Sequence, residues 1–243
     1  MNRIKILSVA LTATVMVACN NQADQTTTEN PLVNENTKPL IQEVLTQEQR
    51  DALTPDAVLK SFKEGNKRFI NNDLTARDHS AQVRKSATGQ YPKAVVLSCL
   101  DSRVPVEDVF DRGIGDIFVG RVAGNFVNVD LLGSMEFGCK VAGSKLILVL
   151  GHEHCGAVKA AVDDVKLGNI TAMLTKIRPA VDRVVYEGDR TSKNAEFVEM
   201  VCESNVLNTI EQIRMNSPIL KEMEDNGQIK IIGGVYDMDT GIV

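Results

Sequence analysis

Apolar residues in the later part of the chain form short continuous runs of the kind found in buried strands. These runs lie at residues 93–99, 116–120, 145–150 and 229–232. Apolar positions recur at helical spacing over residues 129–142, 155–166 and 192–214. Buried strands that alternate with helices are typical of an α/β fold with a mostly parallel central sheet flanked by helices. We therefore predict that fold for this part of the chain.

The predicted folded domain covers residues 46–243. Its first clear helix signal is Thr54-Pro55-Asp56, where threonine is a favoured cap and proline fits the first helical position. Apolar side chains then recur at near-helical spacing, at Val58, Phe62 and Phe69. A domain of this length has ample material for a buried core.

Residues 1–18 have the layout of a secretory signal peptide. A basic start precedes an apolar stretch over residues 6–17, which is too short for a comfortable membrane span. The stretch ends in Met16-Val17-Ala18-Cys19, which resembles a bacterial lipobox. We predict lipidation at Cys19 and a membrane-anchored lipoprotein in the periplasm of a Gram-negative cell. A plain signal peptide and an uncleaved anchor are the alternatives.

Residues 19–45 are polar and rich in asparagine, glutamine and threonine. Such a composition buries too little apolar surface to drive folding. We expect a flexible tether between a lipid and the folded domain. A disordered N-terminus without that purpose fits the same residues.

The overall composition excludes one class of partner. The 243 residues carry a net charge of −5, and the chain contains no tryptophan. Binding to nucleic acid needs a basic surface for the phosphates. We therefore expect no nucleic-acid partner, and the candidate chemistry lies in a few cysteine and histidine side chains.

Cysteine and histidine occur where two predicted strands end. Cys99 ends the first strand, His152 follows the third, and Cys155 opens the next helix. Since the carboxyl ends of parallel strands meet at one edge of a sheet, these side chains can converge. Two thiolates and an imidazole are usual zinc donors, and the helix N-terminus would favour the Cys155 thiolate. On spacing alone, ordinary buried residues remain an alternative.

The residues around these candidate ligands point to one family. Cys99-x-Asp101-x-Arg103 is followed by His152-x-x-Cys155, and this pair of motifs resembles that of the β-class carbonic anhydrases. The resemblance covers roughly residues 55–240 and is carried further by residues 115–119, 121–125, 133–137 and 151–161. It implies the β-carbonic anhydrase fold, in which a further strand extends the parallel sheet.

The resemblance also implies an assembly. Members of the family form obligate homodimers, which often pair into tetramers, and their N-terminal helices pack over the neighbouring subunit. Residues 47–71 would supply those helices in this chain. The active site of the family lies at the dimer interface, so we expect a homodimer or a dimer of dimers.

The implied activity is the reversible hydration of CO2 to bicarbonate and a proton, with one Zn2+ per chain. Zinc-bound hydroxide, available near neutral pH, would attack CO2. Asp101 would orient that hydroxide, and Arg103 would keep Asp101 ionised. A second subtype uses the aspartate as a fourth zinc ligand at low pH, helped by a tryptophan at the position of Val96. This chain lacks tryptophan, so we expect the open form.

The same resemblance identifies residues for the substrate. Gln90 would donate a hydrogen bond to a substrate oxygen, and Phe118, Ala123 and Phe137 would line the pocket. Gly156, next to the last ligand, would allow a close approach at the start of the helix. Alanine and phenylalanine replace the valine and tyrosine of the plant-type pattern, which predicts a slightly roomier pocket with one hydroxyl fewer. Plain core packing is the alternative for the three apolar residues.

Several reactive residues and two other functions stay open. His154 and His79 are candidate proton shuttles, although exposure without a role is the simpler interpretation. Cys139 and Cys202 form either a disulfide or two buried free thiols. The alternatives to a CO2 hydratase are a hydrolase of carbonyl sulfide or carbon disulfide on the same scaffold, and a zinc-binding protein without activity. Because all motif residues are present, the hydratase is favoured.

Overall fold

The structure, a computed structural model, describes residues 39–243. Its centre is a four-stranded sheet in the order β2-β1-β3-β4, and every neighbouring pair is parallel. The strands are β1 Ala94–Ser98, β2 Ile117–Arg121, β3 Leu146–His152 and β4 Lys230–Tyr236. The predicted α/β fold and its four strands are confirmed. The further strand implied by the family is not found among residues 39–243.

Helices connect the strands and cover the sheet. Those within the described residues are α1 Gln47–Asp51, α2 Pro55–Ile70, α3 His79–Ser86, α4 Val106–Val109, α5 Val129–Glu136, α6 Gly156–Val162, α7 Gly168–Leu174, α8 Arg178–Arg183, α9 Ala195–Asn216 and α10 Pro218–Asp225. A π-helical turn, Phe137–Val141, follows α5 directly. None of the helices in this part of the chain has the length and apolar character needed to cross a bilayer.

Each face of the sheet has its own core, because successive residues of a strand point to opposite faces. On one face, Leu97 and Val149 pack in a cluster with Ile210 of α9. On the other face, Leu148 packs in a cluster with Phe62 of α2. The central strands β1 and β3 are buried along their whole length. That burial is why they appear in the sequence as continuous apolar runs.

Strand β4 is longer than its apolar run predicts. The run stops at residue 232 because Gly233 and Gly234 follow it, yet the strand continues to Tyr236. A Cβ atom on Gly233 would lie 2.4 Å from Val206 Cγ1 and 3.0 Å from Ile210 Cδ1, both on α9. Glycine therefore lets the helix pack closely on the strand, and it hides the strand from the sequence pattern.

Two predicted helices are shorter than expected. The segment 129–142 divides into α5 and the π-helical turn, which breaks the regular helical period. Helix α6 ends at Val162 rather than near residue 166, since Asp164 takes a left-handed conformation with φ of 51°. By contrast, α2 begins where predicted, with Thr54 as its cap.

The packed part of the chain begins before the predicted boundary at residue 46. The N–H of Ile41 donates to the carbonyl of Ala76 at 2.9 Å. Ile41 also forms an isolated parallel β-bridge with Arg77. The side-chain amide of Gln82 donates to the carbonyl of Glu43 at 3.1 Å. Residues 39–45, which the sequence assigned to the tether, thus contact the domain. The predicted signal peptide 1–18, Cys19 and the rest of the tether lie outside the described residues.

Candidate metal centre

Three predicted ligands meet at the carboxyl edge of the sheet. Cys99 follows β1 directly, His152 is the last residue of β3, and Cys155 caps α6. Because β1 and β3 are adjacent and parallel, with Ser98 opposite Leu150, the residues that follow come out side by side. Their ligand atoms all lie within 4.8 Å of one another. All three side chains are buried, none more than 5% exposed.

The geometry of these three residues fits a zinc ion. The two cysteine sulfurs are 3.9 Å apart, close to the roughly 3.8 Å that two zinc–sulfur bonds in a tetrahedral site imply. Nδ1 of His152 lies 2.8 Å from the carbonyl oxygen of Glu153, which can only accept, so Nδ1 carries the proton. Nε2 therefore presents a lone pair, and this buried atom has no hydrogen-bond partner. A metal ion satisfies that atom and both sulfurs at once.

The two thiols share charge unequally. A hydrogen bond from Cys155, helped by the N–H of Gly124, lowers the pKa of Cys99 against the effect of burial. The neighbouring Cys99 thiolate and burial raise the pKa of the Cys155 thiol. Without a metal, one negative sulfur therefore disfavours a second beside it, and the expectation that the helix N-terminus favours the Cys155 thiolate in the zinc-bound site stays a prediction.

Asp101 and Arg103 form a paired contact beside the ligands. The Arg103 side chain donates from Nε to Oδ1 of Asp101 at 2.9 Å and from Nη2 to Oδ2 at 2.8 Å. The backbone N–H of Arg103 adds a third bond to Oδ1 at 2.9 Å. These bonds hold the pKa of the Asp101 carboxyl well below its usual range. Asp101 is therefore ionised at neutral pH, as predicted from the motif.

One oxygen of Asp101 faces the metal ligands. Oδ2 lies 3.8 Å from Nε2 of His152. It accepts one bond from Arg103, whereas Oδ1 accepts two. A carboxylate oxygen has two lone pairs, so Oδ2 keeps one of them for a group placed between it and the ligands.

The predicted pocket phenylalanines lie on a different surface. Phe118 of β2 and Phe137, which begins the π-helical turn, line a groove of about 620 Å³ along the edge of the sheet. We call it the β2 groove; it is formed by residues of β1, β2 and α5, and none of the three metal ligands lines it. Phe137 is 57% exposed. The two phenylalanines therefore do not cover the metal centre of their own chain.

Gln90 is also remote from the ligands of its own chain. It is exposed and precedes β1, whereas Cys99 follows β1. A five-residue strand separates the two positions by roughly 3.3 Å per residue. Gln90 lines a shallow depression with Ser86 and Ile114. A role for its amide at the metal centre thus requires a second copy of the chain.

The other two predicted substrate residues lie near the ligands. Ala123 is partly exposed in the loop after β2, next to Gly124, whose N–H donates to Sγ of Cys99 at 3.3 Å. Gly156 is exposed at the start of α6, and a Cβ atom there would meet nothing within 4 Å. Within one chain, the predicted close approach at Gly156 is therefore absent, because this end of α6 faces open space.

The remaining cysteines and histidines of the described residues lie outside the three-ligand cluster. Cys139 and Cys202 are buried free thiols, which excludes the predicted disulfide alternative. Burial raises the pKa of each to about 12. His154 is exposed in the turn between β3 and α6, and His79 is the exposed first residue of α3.

Sequence reasoning missed one residue that braces the centre. Arg121, at the end of β2, donates to the carbonyl of Cys99 at 3.0 Å and to the carbonyl of Val104 at 2.7 Å. These bonds span the turn that carries Asp101 and Arg103. Arg121 belongs to the run 121–125 that supported the family resemblance, but the run itself gave no hint of which residue acts on the turn.

Comparison with known proteins agrees with this geometry. Residues 94–243 match the sequence model of a family described as "Carbonic anhydrase". The chain belongs to the carbonic anhydrase family. It is a zinc enzyme with carbonate dehydratase activity, and Cys99, His152 and Cys155 form a cluster that could hold the zinc ion.

Named relatives and solved structures support that assignment. Carbonic anhydrase 2 of Mycobacterium tuberculosis is 36% identical over 196 residues, which cover 77% of this chain and 90% of the relative. A carbonic anhydrase of Mycolicibacterium smegmatis is 35% identical over 193 residues, covering 78% and 92%. A Coccomyxa β-carbonic anhydrase in complex with acetazolamide aligns with a TM-score of 0.60 at 25% identity, covering 76% of this chain and 82% of that structure. The β-class fold is therefore shown as well.

Proposed function

We propose that the chain hydrates CO2 at a centre where Asp101 orients the attacking oxygen and Arg103 fixes Asp101. The observation that carries this proposal is the position of Asp101 Oδ2, which is 3.8 Å from the unpartnered Nε2 of His152 and has a free lone pair. Cys99, His152 and Cys155 would hold the zinc ion. When bound, zinc supplies a Lewis acid that makes a water-derived nucleophile available near neutral pH.

Asp101 acts as an acceptor rather than as a base. Its depressed pKa means that the carboxylate does not take up a proton near neutral pH. Oδ2 instead accepts a hydrogen bond from the attacking oxygen and thereby turns a lone pair of that oxygen toward the carbon of CO2. Fixing this geometry in advance lowers the barrier, because the reactants no longer lose orientational freedom in the reacting step.

Arg103 keeps the centre in its open form. Its three bonds to Asp101 would have to break, at least in part, before the carboxylate could become a fourth zinc ligand. Val96 is fully buried in β1, in the cluster that includes Leu148, so the position that carries tryptophan in the closing subtype is filled here by a small apolar side chain. We infer that the open form prevails at neutral pH.

The activity is tested by isotope exchange. With full-length, zinc-loaded protein, the loss of ¹⁸O from labelled CO2 to water is followed by mass spectrometry. We expect exchange far above the uncatalysed rate, and no release of hydrogen sulfide when carbonyl sulfide is supplied instead. Exchange at the uncatalysed rate, or hydrolysis of carbonyl sulfide faster than CO2 exchange, would contradict the proposal.

We further propose a homodimer, or a dimer of dimers, in which a second copy completes the substrate pocket. The β2 groove is apolar and open, and exposed side chains lie along it, including Val129 at 79% exposure and Phe137 at 57%. Surfaces of this kind mark sites of protein association. Gln90, Phe118 and Phe137 would then reach the metal centre of the partner, and the N-terminal helices would pack across the interface.

Sedimentation velocity tests the assembly. Val129→Asp places a charge on the β2 groove and should shift the protein toward monomers with reduced activity. Val185→Asp is the control, since Val185 is 87% exposed and does not line the groove. A Val129→Asp protein that stays dimeric would contradict an interface on this surface.

The N-terminal segment supports a further proposal of export and anchoring. The basic start, the apolar stretch and the lipobox-like ending at Cys19 are features of a lipoprotein signal. Labelled palmitate should enter the wild-type chain but not Cys19→Ala, and the wild-type protein should fractionate with membranes. Equal labelling of both proteins would contradict lipidation at Cys19.

A further inference from the structure

Helix α9 carries a buried asparagine that reaches the metal centre through a backbone contact. Asn205 is 0% exposed, and its Nδ2 donates to the carbonyl oxygen of Gly124 at 2.7 Å. The N–H of the same glycine donates to Sγ of Cys99 at 3.3 Å. A single residue therefore links the Asn205 amide to a ligating sulfur.

The loop that makes this link has an unusual backbone. Gly124 has φ of 82° and Asn125 has φ of 39°, so two successive residues are left-handed. A Cβ atom on Gly124 would lie 2.3 Å from Cδ1 of Ile177, so only glycine fits. Such conformations persist only where the surroundings hold them. The bond from Asn205 to the Gly124 carbonyl is one contact that does so.

Packing alone does not explain an asparagine at this position. Oδ1 of Asn205 is buried without a hydrogen-bond partner. Buried amides normally satisfy both ends, and an orphaned oxygen in a native structure calls for another reason. Only the donor end of this side chain is used, and it is used on the loop that contacts Cys99.

The same helix offers a matched comparison. Asn208 is also buried on α9, at 2% exposure, and its Oδ1 likewise has no partner. Asn205 donates to the carbonyl of Gly124, and Asn208 makes no such bond. The two asparagines share residue type, helix and burial but differ in their link to the metal centre.

We propose that Asn205 is a positioning residue for zinc binding. Its amide holds Gly124 so that the Gly124 N–H stays on the sulfur of Cys99, and this contact controls how firmly that sulfur holds the metal. The inference rests on the proposed zinc site and deepens it. Outer partners of metal ligands, when removed, typically cost about 10- to 100-fold in metal affinity or activity.

The test uses zinc affinity and a spectroscopic signature on the full-length chain. Asn205→Ala and Asn205→Leu both remove the donor, and leucine keeps the side-chain volume. Competition with a chromogenic chelator should show zinc binding weakened about 10- to 100-fold in both variants. In protein loaded with Co2+, the sulfur-to-cobalt charge-transfer band should shift in both. Asn208→Ala should bind zinc as the wild type does and leave the band in place.

Two results would overturn the role of Asn205, and a third would contradict only the proposed function. Unchanged zinc affinity and an unmoved band in both Asn205 variants would overturn the proposal. An equal loss in Asn208→Ala would also overturn it, since the effect would then come from a general loosening of α9. A wild-type chain that shows the expected pattern of metal binding but hydrates no CO2 would contradict the proposed function and leave the role of Asn205 intact.

Discussion

The metal centre is assembled within one chain, whereas the β2 groove is an open surface of that chain. The three zinc ligands are at most 5% exposed, and their ligand atoms lie within 4.8 Å of one another in a single chain. Phe137 in the groove is 57% exposed, and Gln90 is exposed before the start of β1. One chain therefore brings the candidate metal ligands together, whereas Gln90 and Phe137 face outward and away from them. Motif residues that the family resemblance assigns to one site lie on separate surfaces of the fold.

Removing a zinc ligand should have the largest effect. Cys155→Ala deletes one of three donors in a buried site, so zinc content should fall well below the wild-type level of about one per chain, and CO2 hydration should disappear. Metal analysis and activity on one sample measure both. Cys139→Ala is the matched control, because it removes a buried free thiol outside the zinc site. A Cys155→Ala protein that keeps its zinc and its activity would disprove the ligand set.

Asp101→Ala should break catalysis without breaking the metal site. In the proposed role Asp101 orients the attacking oxygen and does not hold zinc, so activity should fall by about 10²-fold or more while zinc remains bound. Asp225→Ala, which removes an exposed partner of Lys221, should have no effect. Activity near that of the wild type in Asp101→Ala would mean that the carboxylate has no part in the reaction.

Arg103→Ala should have a smaller and pH-dependent effect. Arg103 holds the pKa of Asp101 below its usual range, so wild-type Asp101 stays ionised until the pH falls well below that range, and the stabilising ion pair persists throughout the neutral region. Without Arg103, the Asp101 carboxylate would be free to approach a bound zinc ion. Hydroxide would compete with the carboxylate for that position, and it would compete better at high pH because more of it is present. We expect activity at pH 8.5 but little at pH 7. Equal activity of the variant at both values would contradict the role of Arg103.

Mixing two impaired variants tests whether the site is shared between subunits. Gln90→Ala alone should lower activity, and Asp101→Ala should nearly abolish it. After subunit exchange, half of the dimers are mixed and each has one intact site, so the intact sites should add about a quarter of the wild-type activity to what Gln90→Ala retains. Asp101→Ala mixed with His152→Ala is the control, since both changes affect the same half of the site. Recovery only in the control, or in neither mixture, would contradict a shared site.

Much of the fold could be predicted from the sequence because its central strands are buried on both faces. The runs at 93–99 and 145–150 correspond to β1 and β3 for that reason. The end of β4 could not be predicted, because two glycines interrupt its apolar pattern: Gly233 allows close contact with α9, and Gly234 allows close contact with Val243. The π-helical turn after α5 was missed as well, since helical periodicity does not reveal one additional residue in a turn.

The metal centre was more predictable than the substrate pocket for a physical reason. Cys99, His152 and Cys155 are fixed by strand ends, and a parallel sheet brings strand ends together. Gln90 and Phe137 lie on surfaces away from the ligands of their own chain, and no sequence pattern indicates which surface each occupies. Asn205 was missed because a polar residue in a long amphipathic helix looks exposed until the packing shows it to be buried.

Stopped-flow CO2 hydration by the full-length protein at pH 7 and pH 8.5, with zinc measured in the same sample, tests the central claim most directly. Fast hydration at both pH values, with about one zinc per chain, is the result that an open, three-ligand centre predicts. Activity only at pH 8.5 would show that Asp101 closes onto the metal despite Arg103. A folded, zinc-loaded protein without hydration at either pH would contradict the assignment of this centre as a CO2 hydratase.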